Sequence, residues 1–134
     1  MFDYAKFYQK NPNGVLATIE GNNVKTRVFQ YLFAEGTKIY FCTSSQKEVF
    51  KQLQANPHAS FCSYGEGCSQ VVSVSGKTTF LDCPQLKKRV LDENPPIANI
   101  YKSPENPVFR IFYLEVESVD TFSFSEGTKR YSLK

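Results

Sequence analysis

The stretch GVLATIEGNNVKTRVF, residues 14–29, decides the fold. Gly14 to Ile19 is a compact run of β-forming residues. Gly21-Asn22-Asn23 turns the chain, and β-branched and aromatic side chains carry a second, longer strand over 24–34. A hairpin results. Glu35-Gly36 turns again, and Lys38-Ile39-Tyr40-Phe41-Cys42-Thr43 supplies a third strand, which makes an antiparallel meander. Upstream, Asp3 caps a short helix through about Lys10, ended by Asn11-Pro12-Asn13-Gly14.

After the third strand the period changes. Ser45-Gln46-Lys47-Glu48 has the form of a capping box, and Val49, Phe50 and Leu53 follow at helical spacing, which predicts a helix over 46–55 with Ser45 as its N-cap. Asn56-Pro57 stops it. Two strands, 59–64 and 70–81, flank the turn Gly65-Glu66-Gly67. Pro84 opens another short helix with Leu86, Val90 and Leu91 on its apolar side, and Asn94-Pro95-Pro96 ends it. Residues 97–106 carry no clear signal. A strand over 108–116, a separate short alternating piece over 120–125 and a polar tail from Glu126 complete the chain. The expected class is α+β, a small antiparallel split β-barrel of about six strands with two or three short helices, forming one domain over 1–134.

Composition narrows the function. With 134 residues, 41% hydrophobic and 22% charged, the chain suits a single soluble core. The 16 Lys and Arg against 13 Asp and Glu are scattered apart from Lys87-Lys88-Arg89, so nothing asks for nucleic acid. No stretch reaches the roughly 20 apolar residues of a membrane span, and the N-terminus has no signal-peptide core. Cys42, Cys62, Cys68 and Cys83 form no C-x-x-C pair and a single histidine is present, which speaks against a metal site; reduced thiols and a cytoplasmic location are expected.

Hydrolytic chemistry is poorly supported. His58 follows Asn-Pro at a strand start without an obvious carboxylate partner, and Asp92-Glu93 and Glu115/Glu117 read as solvated surface. More informative are Arg27 in the second strand and Thr43-Ser44-Ser45-Gln46-Lys47 at a strand-to-helix junction. A helix start offers free N–H groups, hydroxyls add hydrogen bonds, and Lys and Arg supply charge, so the pair can cradle a phosphate. On local pattern alone the commoner reading is that Ser45 only caps its helix and Arg27 is an ordinary exposed strand residue.

Three segments in order, GVLATIEGNNVKTRVF, KIYFCTSSQKEVFKQLQANPHASFC and SQVVSVSGKTTFLD, resemble the flavin-binding split barrels related to pyridoxamine 5'-phosphate oxidase. The resemblance implies that Arg27 and Lys47 hold the phosphate of flavin mononucleotide (FMN) and that Val28 and Phe29 present backbone to the flavin ring. Cys42 and Thr43 stand where the family has Tyr-Thr, while Ser45 and Gln46 fall on a Ser-Arg pair. Gln70, in QVVSVSG, matches a glutamine that reaches the flavin across a homodimer interface. Gln46 replaces a phosphate-binding Arg and the segment is two residues shorter, which weakens the anion grip. The oxidase's substrate-binding residues and its C-terminal Trp and Arg are absent, so the chain looks like the short, general-stress relatives. The resemblance implies an FMN-dependent oxidoreductase acting on a small molecule or electron donor, with no catalytic side chain identified. Flavin binding without turnover, loss of the cofactor, and a haem-binding barrel with His58 as axial ligand are the alternatives.

Overall fold

The structure, a computed structural model, describes residues 1–133. After helix α1 (Tyr4–Lys10) come strands β1 (Asn13–Glu20), β2 (Asn23–Gln30), β3 (Phe33–Glu35) and β4 (Lys38–Ser44). Helix α2 (Glu48–Ala55) precedes β5 (His58–Tyr64), a 3-10 turn over Glu66–Cys68, and β6 (Gln70–Leu81). Helices α3 (Pro84–Glu93) and α4 (Pro95–Tyr101) lead into the long β7 (Phe109–Ser123) and β8 (Gly127–Ser132). All strand pairs are antiparallel in one sheet of order β2-β1-β5-β6-β7-β4-β3, with β8 also on β7. The sheet curls without closing. One edge of β7 is shared, its first half taken by β4 and its second by β8, which splits the barrel.

The α+β split-barrel expectation holds, with eight strands in place of about six. Four local differences have physical causes. The 24–34 strand breaks into β2 and β3 because Tyr31 N–H donates to Pro12 O at 2.7 Å and Leu32 N–H to Tyr40 O at 3.0 Å, so the pairing changes partner there. Residues 97–106 begin as helix α4, whose prolines sit in its first turn, where no N–H donor is needed. The expected strand over 108–116 and the short piece over 120–125 are one continuous β7, which passes its bend where the register with β6 shifts between Ser75 and Gly76. A side chain at Gly76 would place Cβ at 1.9 Å from Glu115 O, so only glycine fits. The polar tail folds back as β8, and its Arg130 pairs with Asp120 at 2.6 Å.

Side chains alternate between two cores. The barrel interior gathers Leu16, Ile39, Phe41, Phe61, Val72, Val74, Phe112 and Leu114, closed at one end by α1. There Tyr8 is fully buried and its hydroxyl donates to Val72 O at 2.9 Å, so its polar end is satisfied. A second cluster packs α3 and α4 against the other face of β4 and β7 through Tyr40, Val90, Leu91, Tyr101, Phe109 and Ile111.

Candidate functional site

Cross-strand pairing places Arg27 opposite Leu16, on the inward face of the β1–β2 hairpin. Its guanidinium donates to Leu16 O at 3.1 Å, to Thr18 Oγ1 at 2.8 Å and to the side-chain oxygen of Gln52, in α2, at 2.5 Å. All three acceptors are neutral, and Arg27 forms no ion pair among the described residues. Partial burial lowers its pKa, yet an Arg stays charged. Gln52 in turn donates to Glu20 Oε2 at 3.1 Å. The result is a positioned cation without a bonded anion.

The start of α2 differs from the sequence expectation. Ser45 does not cap it: the helix begins at Glu48 and Lys47 occupies the N-cap without a side-chain cap bond. The cause lies one residue earlier, where the Ser44 hydroxyl accepts from Gln46 N–H at 3.2 Å and Lys47 N–H donates to Ser44 O at 3.1 Å. This local turn competes with the helix and takes the first residues out of it. Ser45 N–H is used by Val108 O at 2.9 Å. Gln46 and Lys47 are exposed, and Lys47 has no carboxylate partner among the described residues. The helix start therefore keeps uncapped N–H groups beside a free ammonium.

Thr43 lies on the inward face of β4. It is 2% exposed and its hydroxyl is a buried polar atom with no partner among the described residues. Cys42 faces the other way, beside Lys47; burial pushes its thiol up to about 12 although the Lys47 charge pulls it down. A shallow cavity of ≈ 180 Å³ joins Val28, Phe29, Cys42 and Lys47, and α4 closes it with Ile97, Ile100 and Tyr101.

Of the sequence-derived set, the fold brings Val28, Phe29, Cys42 and Lys47 to one cavity, with Arg27, Thr43, Ser45 and Gln46 on the elements that frame it. Gln70 stands apart. Cys42 lies opposite Ile111, and Ile111 opposite Leu81, so β6 runs its whole length between that end and Gln70, on the order of 35 Å at the usual strand rise. Gln70 instead lines a cavity of ≈ 370 Å³ with Phe7, Lys10 and Asn11. His58 is exposed at the start of β5 and lines neither cavity. No cluster of His, Cys, Asp or Glu suited to a metal ion occurs among the described residues. No helix there is long and apolar enough to cross a membrane.

The sequence reading missed Thr18 and Gln52, which hold Arg27, and the α4 wall. Ile97, Ile100 and Tyr101 carry the i, i+3, i+4 spacing that would have revealed the wall. Gln52 carries no such signal, since its role depends on a β1–α2 contact.

The residues present fit the phosphate end of a flavin. An orphaned buried hydroxyl on β4, Arg27 and Lys47 without ion pairs, and an uncapped helix start lie on the elements that border an apolar slot, and Lys47 among them lines it. The cavity is smaller than the roughly 300 Å³ of usual ligand pockets, so a flavin ring would project beyond it.

The profile of a family described as pyridoxamine 5'-phosphate oxidase matches residues 3–123. Among solved structures, a NimC/NimA family protein from Clostridium acetobutylicum superposes with a TM-score of 0.85 at 25% identity, over 96% of this chain and 88% of that one. General Stress Protein 26 from Bacillus anthracis gives 0.80 at 16% identity, over 96% and 94%. A pyridoxamine 5'-phosphate oxidase-related, FMN-binding protein from Nostoc punctiforme gives 0.65 at 17%, over 89% and 78%. No curated protein matches the chain.

Proposed function

This chain belongs to the pyridoxamine 5'-phosphate oxidase family, and from that premise we propose that it binds FMN and works as a flavin-dependent oxidoreductase on a small molecule or electron donor. The single observation that carries the reading is the pairing of unmatched charge with an unmatched polar group: Arg27 and Lys47 without ion pairs, and the Thr43 hydroxyl without a partner. A phosphate answers all three. Arg27 and Lys47 bind it, the Ser45 and Gln46 turn adds polar contacts, and Val28 and Phe29 offer backbone and an apolar wall to the ring. The flavin supplies the electron or hydride transfer, and the protein orients it and excludes water.

A homodimer with the flavin at its interface is part of the proposal. Val28 lies opposite Val15, and Tyr64 opposite Val71, which in turn faces Phe122, so the outer sheet face carries exposed apolar side chains among polar ones such as Ser73 and Asp120. Val28 is 73% exposed and Tyr64 55%. A second copy on this face would bury those side chains and bring a Gln70 to a flavin that its own chain's Gln70 cannot reach. Cytoplasmic residence, where the four thiols stay reduced, belongs to the same reading.

A second reading, flavin binding without turnover, is favoured by the cavity wall, which contains no His, Asp or Glu to act as acid or base. The experiment is an absorption spectrum of the purified protein after FMN addition and desalting, followed by anaerobic NADH or NADPH. Retained flavin bands that bleach support the oxidoreductase; retained bands that do not bleach with either donor support the second reading. A colourless protein overturns both, and a haem spectrum transfers the question to His58.

A further inference from the structure

A second cavity lies beyond α2 from the Arg27 side, where β7 leaves the loop after α4. It has a volume of ≈ 490 Å³ and shares no residue with the cavity assigned to the flavin. Its charge is layered. Lys87 of α3 is a buried cation, its side chain 9% exposed, and its only ion-pair partner among the described residues is Asp82 at 3.4 Å, a side chain 83% exposed. Burying an ammonium against a carboxylate that stays in water is a poor way to stabilise a fold, because the desolvation cost falls on one partner and the attraction is screened.

Arg110 forms the other cationic wall. Its guanidinium lies over the ring of Phe50 at 5.1 Å and of Phe80 at 5.9 Å, which fixes its plane without using its hydrogen-bond donors. It has no carboxylate partner among the described residues. Glu105, exposed, stands at the opening with Asp82, and a Ser103 hydroxyl bond and its own backbone hold its carboxyl below the usual range. Pro84, Pro104 and Pro107 restrict the backbone of the rim. The cavity is preformed, with cations inside and carboxylates outside.

We propose that this cavity binds a small zwitterion of the amino-acid type, its carboxylate against Arg110 and Lys87 and its ammonium against Asp82 and Glu105. A simple anion would meet the rim carboxylates, and a simple amine would leave Arg110 unmatched. Only a molecule bearing both charges answers both layers, and Pro84, Pro104 and Pro107 give its side chain an apolar lining. The inference rests on cavity residues other than those assigned to the flavin, and because Arg110 lies opposite Thr43 in the β4–β7 register, FMN retention is read in the same variant.

The test is a titration of the full chain by amide nuclear magnetic resonance, with L-leucine and L-glutamate as zwitterions, 4-methylpentanoate as the carboxylate alone and 3-methylbutylamine as the amine alone. Saturable shifts at Lys87, Glu105 and Arg110 are expected with at least one amino acid, and binding at least about tenfold weaker with either single-charge analogue. Arg110→Gln should abolish the response while leaving FMN retention unchanged; Lys87→Met should weaken it. Should Lys87→Met not fold, Arg110→Gln alone decides. No saturable shift with either amino acid up to about 10 mM overturns the proposal. Equal binding of 4-methylpentanoate does so too, as does loss of FMN from Arg110→Gln.

Discussion

Arg27 of β2 and Gln52 of α2 meet past the intervening strand β1, guanidinium to side-chain oxygen at 2.5 Å, with Thr18 bonded to both. The strand cation is thereby tied to the helix whose N-cap is Lys47. Arg27 is held in place by groups that are themselves neutral and Lys47 has no carboxylate partner among the described residues, so neither charge is cancelled.

Gln52 is buried and serves three partners. Gln52→Leu should cost about 1–3 kcal/mol of stability, because the Thr18 hydroxyl and an Arg27 donor lose their acceptor in a dry place. Urea denaturation reads the change; an unaltered midpoint would show that the contact carries no weight.

Thr43→Val has the opposite sign. The hydroxyl is buried and unpaired, and an isosteric methyl removes its desolvation cost, so the flavin-free protein should gain about 1 kcal/mol. FMN affinity should fall in the same variant. Calorimetry of the flavin-free protein and an FMN titration separate the two effects, and a lowered Tm would mean that the hydroxyl has a partner.

The thiols differ in reactivity. Cys68 is exposed, whereas burial raises the Cys42 thiol to about 12 from an ordinary 9.0. Iodoacetamide at mildly alkaline pH should modify Cys68 and spare Cys42, as read by mass spectrometry. In linkage terms the folded chain keeps the Cys42 proton where the unfolded chain loses it. Its contribution to stability is therefore full below pH 9 and declines as pH rises from 9 to about 12.

Light scattering tests the assembly. The wild type should run as a dimer, and Val28→Glu with Tyr64→Glu should run as a folded monomer that holds FMN less tightly. A monomeric wild type that keeps FMN would remove the interface from the account.

The strand-helix order was legible in the sequence because it is local, and Arg27, Thr43 and Lys47 stand out on the same kind of local pattern. Alternation reports a strand's two faces, which places Arg27 and Thr43, and Lys47 sits where the chain turns from β4 into α2. What stayed hidden depends on partners distant in sequence. Tyr31 breaks a strand by donating to Pro12, β7 continues past its bend because β6 shifts register with it, and Gln52 acquires its role only when α2 packs on β1. Ser45 was misread for a nearer reason, since Ser44 makes the competing turn first.

The central claim is that Arg27 and Lys47 grip a flavin by its phosphate. The direct measurement is a fluorescence titration with FMN and with riboflavin, which differ only by that group, on the wild type and on Arg27→Ala with Lys47→Ala. The account predicts that the wild type prefers FMN by at least about tenfold and that the double variant, still folded, loses the preference. Equal affinity of the wild type for FMN and riboflavin would contradict it.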